Sequence, residues 1–180
     1  VNKSVRKIID SYLSLVNQYG KVDVPILAIT KNADISRATF YNHFNNVEEV
    51  VVLIEQDIDK QINQTIQKYR QDYVDQPYLM LAQKVLPILY EKRDILKILY
   101  TSPLRAHWLN FLRQKYDGWV SSFFKTNKDN KIPKYYSKNM SYFFYFSIVE
   151  LWLAKPIPED PQTFEKIFLQ MVSTPIINLI

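Results

Sequence analysis

Gly20 and Gly118 are the only glycines in 180 residues, and that scarcity constrains this chain more than any other feature. Glycine supplies the left-handed backbone of tight turns, and a turn-rich all-β fold needs many of them. Two isolated glycines also exclude the phosphate-cradling loops of dinucleotide and nucleoside triphosphate sites, which need several at close spacing. The chain reads instead as a succession of helices separated by polar caps and prolines. Val5, Ile8, Ile9, Tyr12, Leu13 and Val16 recur at helical spacing. They predict a first helix over residues 3–19, ended by Gly20, with Lys3, Arg6, Lys7 and Asp10 on its wet side. The hydrophobic fraction of 47% is ample for a packed core, and the length allows one domain or two small ones.

Residues 34–47 are the most informative stretch. Ser36 can cap a short helix with its hydroxyl. Phe40 and Phe44, four apart, share one face and can anchor that helix to a core. Ala38, Thr39, Tyr41, Asn42 and Asn45 fall on the other face, which is small, polar and free of acidic residues. Asn46 is placed to cap the next helix, with Glu49 three positions on as its capping-box partner. A preceding helix from Pro25 to about residue 32, burying Ile26 and Ile29, makes the segment a helix-turn-helix. The chain carries a net charge of +5, and its first 46 residues hold Lys3, Arg6, Lys7, Lys21, Lys31 and Arg37 against Asp10, Asp23 and Asp34. The positive density therefore lies at the N-terminal end, as attraction to phosphate requires.

The pattern Ile29-Thr30-x-x-Ala33-Asp34-Ile35-Ser36-x-x-Thr39-Phe40-Tyr41-x-His43-Phe44, followed by Glu48-Glu49-Val50, resembles the DNA-binding domain of TetR/AcrR-type bacterial repressors. The resemblance covers about the first 55 residues; beyond them only the layout is similar. It implies an all-α fold of about nine helices: an N-terminal three-helix helix-turn-helix domain over residues 1–46, then a helical effector-binding and dimerisation domain over 47–180. It implies a ligand-responsive transcriptional regulator, a repressor, that binds near-palindromic double-stranded DNA as a homodimer. Arg37, Ala38 and Thr39 stand where the family reads bases, and Asn42 has the chemistry to pair with adenine. Tyr41 and His43 match phosphate-facing positions, and Lys21 and Lys31 are further phosphate candidates. Three departures accompany the match. Asp34 replaces the usual glycine of the turn, a left-handed position that Asp tolerates better than most residues. Val24, Pro25 and Ile26 replace the hydroxyl expected at the start of the second helix, and Val47 replaces a lysine at the start of the fourth. The last two departures motivate an alternative function: an adaptor acting through a protein partner, with weak or assisted DNA binding.

The fourth helix is expected over 47–69, with a stripe of Val50, Leu53, Ile54, Ile58, Ile62 and Ile66. Its acidic residues, including Glu55 and Asp59 four apart, read as helix-dipole complements and a solvated face rather than a metal site. A fifth helix over about 77–92 contains Pro87, which predicts a kink. A short helix over 94–100 follows, then one started by Ser102-Pro103 and running to about residue 125. A helix over 134–154 is apolar nearly all round, so one side needs a partner. Asp160-Pro161 starts the last helix, striped with Phe164, Ile167, Phe168, Met171 and Val172. These last two helices are the expected dimer pair, through Phe144, Ile148, Leu151, Trp152, Phe164 and Phe168. The aromatics of the body are expected in the core, leaving Tyr100, His107, Asn139, Ser147 and Glu150 as polar candidates for an effector site. The effector is expected to be at least partly apolar or aromatic.

No enzyme is expected: there are two histidines far apart in sequence, no cysteine and no glycine-rich loop. No cofactor or metal is implied. The absence of cysteine suits a cytoplasmic protein. The longest strongly apolar run, 140–149, is too short to span a bilayer. No signal peptide precedes Val1, and because Val1 is not a methionine the native start is read as trimmed, with a basic arm expected ahead of it.

Overall fold

The computed structural model describes residues 2–123 and 132–174. Among them there are nine helices and no strand: α1 (Lys3–Tyr19), α2 (Ile26–Asn32), α3 (Arg37–Tyr41), α4 (Val47–Tyr69), α5 (77–91), α6 (Arg93–Thr101), α7 (Arg105–Phe123), α8 (Lys134–Ala154) and α9 (Pro161–Ser173). The expected end of the seventh helix at residues 124–125 and the polar loop at 127–131 lie outside the described residues. No described helix is long and apolar enough to cross a membrane.

The chain divides into two compact units, one of Val1–Lys60 with Ile98–Trp108, the other of Gln61–Lys97 with Leu109–Ile180. The boundary expected at residue 46 therefore falls inside the first unit. In that unit Asn2 caps α1 by accepting from the Ser4 N–H at 2.9 Å, and Gly20 ends it with a φ of +63°. Ile8, Tyr12 and Val16 turn inward with Ile29, Phe40, Val50 and Ile54. Ser11 is buried between α1 and α2: its hydroxyl donates to the Ile29 carbonyl at 2.8 Å and accepts from Asn32 Nδ2 at 3.1 Å. Both contacts satisfy polar groups that burial would otherwise leave unpaired.

In the second unit, the expected kink at Pro87 takes a specific form. Leu81–Val85 is π-helical, and the Leu86 N–H bonds to the Leu81 carbonyl five residues back. Proline has no N–H for an α-helical bond, and its ring crowds the carbonyl four residues earlier; one wide turn before it relieves both. Asp160 caps α9, accepting from the Gln162 and Thr163 N–H groups at 3.0 and 3.1 Å. Asp117 on α7 accepts from Lys138 Nζ at 2.7 Å and from the Tyr142 hydroxyl at 3.4 Å, tying α7 to α8. The Lys138 bond holds the Asp117 carboxyl below the usual range. Burial, then the Asp117 charge, pushes the Tyr142 hydroxyl up to about 12.

The dimer residues expected on α8 and α9 mostly turn inward, which corrects that assignment. Ile148, Trp152, Phe164 and Phe168 are all buried within the single chain. Trp152 stacks on Phe164 with ring centroids 4.1 Å apart and on Tyr90 at 5.7 Å, and Tyr145 meets Phe168 edge-on at 5.9 Å. Phe144 is half-buried. Of the six, Leu151 alone stands out, at 67% exposed. Tyr136, Met140, Phe143 and Leu151 are exposed, and their spacing places them with Ser147 along one stripe of α8. The outward apolar face expected of this helix is therefore present, but apart from Leu151 it consists of different residues.

Candidate nucleic-acid interface

The turn before α3 is built by backbone hydrogen bonds. The Ala33 N–H donates to the Ile29 carbonyl at 2.9 Å and the Ile35 N–H to the Thr30 carbonyl at 3.1 Å. This wrap leaves Asp34 at a φ of +51°, the single left-handed non-glycine residue among those described. Ser36 then caps α3. Its hydroxyl oxygen accepts from the Thr39 N–H at 3.0 Å and shares a hydrogen bond with the Thr39 hydroxyl at 2.8 Å.

α3 is five residues long and amphipathic at close quarters. Phe40 is fully buried and Phe44 nearly so, their centroids 5.7 Å apart. Arg37, Ala38, Tyr41, Asn42 and His43 are exposed, and Thr39 is half-buried. Tyr41 touches Phe40 edge-on at 5.7 Å yet stays 48% exposed, which disposes of a role for its ring as core filler. The Thr39 hydroxyl is engaged by Ser36, so what Thr39 offers outward is chiefly its methyl group. Lys21 and Lys31 are exposed, and Lys31 lines an open depression of about 410 Å³ with Thr30, Asp34, Ile35 and Ser36.

The exit from α3 is locked as tightly as its entry. Asn46 Oδ1 accepts from the Glu49 N–H at 3.0 Å, capping α4 as expected. The return bond of the capping box lands one residue earlier: the Glu49 carboxylate accepts from the Asn45 N–H and from Asn45 Nδ2, both at 2.8 Å. These two bonds hold the Glu49 carboxyl below its usual range. The expected departures are also visible. Pro25 stands at the N-cap of α2 with no side-chain cap, so the helix starts one residue later than predicted, and Leu27 behind it is 54% exposed.

The effector candidates divide between the two units. Tyr100 is buried in the first, edge-on to Trp108 at 6.3 Å. His107 in the same unit uses both ring nitrogens on the protein: Nδ1 lies 2.7 Å from Glu55 and Nε2 lies 2.9 Å from Glu48. Both ring nitrogens therefore face carboxylates of the same chain. In the second unit Asn139 Nδ2 donates to the Tyr135 carbonyl of its own helix at 2.8 Å, Ser147 is exposed on the α8 stripe, and Glu150 is half-buried.

The solvated face expected for Glu55 and Asp59 is also corrected, since they are 2% and 3% exposed. Among the described residues no group of three His, Cys, Asp or Glu side chains is arranged to hold a metal ion. Compared with known proteins, the chain matches no family model, no curated protein and no solved structure.

Proposed function

We propose that this chain is a transcriptional regulator of the TetR/AcrR-like kind, a repressor that binds near-palindromic double-stranded DNA as a homodimer and responds to a partly apolar or aromatic effector. The observation that carries the reading is the outward face of α3. Arg37, Ala38, Tyr41, Asn42 and His43 are exposed together without an acidic residue among them, on a helix pinned from behind by Phe40 and Phe44. Arg37 can pair bidentately with guanine and Asn42 with adenine, while Ala38 and the Thr39 methyl suit the thymine methyl. Tyr41 and His43 bring hydrogen-bond donors to phosphate, and Lys21 and Lys31 bring charge. The exposed apolar stripe of α8 supports a second copy as the other partner.

Binding of variants to specific and scrambled duplexes across a salt series tests the assignment. Arg37→Ala should cost about 1–3 kcal/mol and relax preference at one position. Tyr41→Phe should weaken all sequences alike without changing the salt slope, whereas Lys31→Ala should lower the slope by about one. Uniform weakening by Arg37→Ala would move Arg37 from reader to anchor.

A second reading is favoured by one region. The start of α2 has Pro25 at its cap, no hydroxyl, and an exposed Leu27. Such a surface suits a protein partner better than a phosphate, so an adaptor that binds DNA weakly or with help is the alternative. A chain that shifts no duplex alone but does so with a co-purified partner, and loses this on Leu27→Asp, would establish it.

A further inference from the structure

Where α7 begins beside α4, the first unit holds a buried carboxylate that the reader face does not use. Glu55 Oε1 lies 2.7 Å from Nδ1 of His107, and Nε2 of the same ring lies 2.9 Å from Glu48 Oε1. The Glu55 side chain is 3% exposed, that of His107 40% and that of Glu48 66%. Seven residues apart, the two glutamates share a face of α4. A neutral imidazole has one N–H and one lone pair, so it can donate to one carboxylate while turning its lone pair on the other. Only one further proton in the cluster, on the ring or resting on Glu55, places a hydrogen in both contacts.

We infer that His107 is a proton-operated clasp, which when protonated closes the start of α7 onto both Glu48 and Glu55, and when deprotonated releases the exposed Glu48 arm in the first turn of α4. Glu55 and Glu48 favour the closed form. From α4, Asp59 is buried one turn beyond Glu55 on the same face, while Glu49 is turned away onto Asn45. On α7 itself Arg105 stands two residues before the ring. On α1 the Tyr12 hydroxyl, raised first by burial, is raised further by the Glu48 charge and then by Asp23. Burial alone would lower the His107 pKa, but its bonds to Glu55 and then Glu48 outweigh burial and hold it above the ordinary imidazole value. Burial likewise raises Glu55, against the lowering effect of His107. Both groups thus bind protons more tightly folded than unfolded, so their stabilisation is present at low pH and lost as pH rises, the His107 share from about 6.5 upward.

One consequence rests on the DNA-binding reading. Loss of the imidazolium charge leaves the Glu48 carboxylate uncompensated just after the Asn45–Asn46 cap that follows α3, so affinity for phosphate should fall as pH rises.

The experiment follows the two histidine ring signals by NMR in the full chain, with His43→Asn assigning them, alongside urea unfolding from about pH 5.5 to about pH 9. His107 should titrate above the ordinary imidazole range, and the unfolding midpoint should fall as it does so. Glu48→Gln alters an exposed side chain and leaves folding unthreatened. Its amide can donate to the lone pair of neutral imidazole, so it should lower the His107 titration and flatten the loss of stability at high pH. An ordinary titration in wild type, or none of this shift in Glu48→Gln, overturns the clasp. Duplex binding over the same range should weaken about fivefold or more in wild type and less in Glu48→Gln. A chain that binds no duplex at any pH but shows the expected titrations removes the DNA reading and keeps the clasp.

Discussion

Trp152→Ala separates core from interface on α8 more sharply than any other change. Trp152 is 1% exposed, stacks on Phe164 with planes 6° apart, and donates its Nε1 hydrogen to the Glu159 carbonyl at 2.9 Å. It thereby joins α8, α9, α5 and the 155–160 connection. A buried tryptophan withdraws about 150–250 Å² from water, worth about 4–6 kcal/mol at about 25 cal/mol per Å². Alanine keeps part of this, and the lost hydrogen bond adds about 1 kcal/mol. Large-to-small core changes of this kind cost about 3–5 kcal/mol, so about 4 kcal/mol is expected here. Trp152→Phe keeps a ring against Phe164 and should lose about 1–2 kcal/mol. The neighbouring Leu151, 67% exposed, gives the contrast: Leu151→Ser should change folding stability by less than about 0.5 kcal/mol. Urea unfolding at two protein concentrations about tenfold apart reads both effects, because only a change in association makes the midpoint concentration-dependent. A Trp152→Ala chain within about 1 kcal/mol of wild type, but shifted from dimer to monomer, would refute the burial argument.

Other substitutions probe separate contacts. Asp34→Gly should be nearly neutral, since relief of left-handed strain offsets the entropy glycine adds to the unfolded chain, whereas Asp34→Val should cost about 1–3 kcal/mol; equal thermal shifts for the two would deny a positive φ at this turn. Ser36→Ala removes the cap of α3 and the partner of the Thr39 hydroxyl, and should lower the stability of the first unit by about 1 kcal/mol in chemical unfolding. Lys138→Met should reduce the acid dependence tied to Asp117: that carboxyl is held below its ordinary value, so its stabilisation is present above that value and lost as pH falls through the folded one, and acid titration of the melting temperature should flatten in the variant. Paired Phe143→Glu and Leu151→Glu changes on the exposed α8 stripe should convert a dimer to monomers in sedimentation without unfolding the chain.

The segment around α3 was legible because its signals are local. A hydroxyl at Ser36, a residue tolerant of left-handed backbone at Asp34, and phenylalanines four apart each act within one turn of chain, and the structure places all three as the residues imply. The fourth helix began and ended where its pattern and caps indicated for the same reason. The π-turn before Pro87 was only half legible: a missing N–H announces that the helix must adapt, but whether it bends or widens depends on neighbours far away in sequence.

Long-range pairing hid the rest. Periodicity ranks positions on a helix by angle, and Val51, Glu55 and Asp59 flank the stripe of Val50, Ile54, Ile58, Ile62 and Ile66. Carboxylates at a flank read as solvated, because burying one without a partner is too costly. What changes the balance for Glu55 is His107, 52 residues away and 2.7 Å distant, and no spacing rule joins them. The same limit explains the exchange on α8. An all-round apolar helix declares that it needs two neighbours, and composition cannot say which half goes to which. Trp152 turned inward because Phe164, Tyr90 and the Glu159 carbonyl together satisfy both its ring and its N–H. Leu151, one residue and about 100° away, then has no choice but the outside, and with it Met140 and Phe143. The inward face is thus decided by the residue hardest to satisfy, and the outward face by what remains.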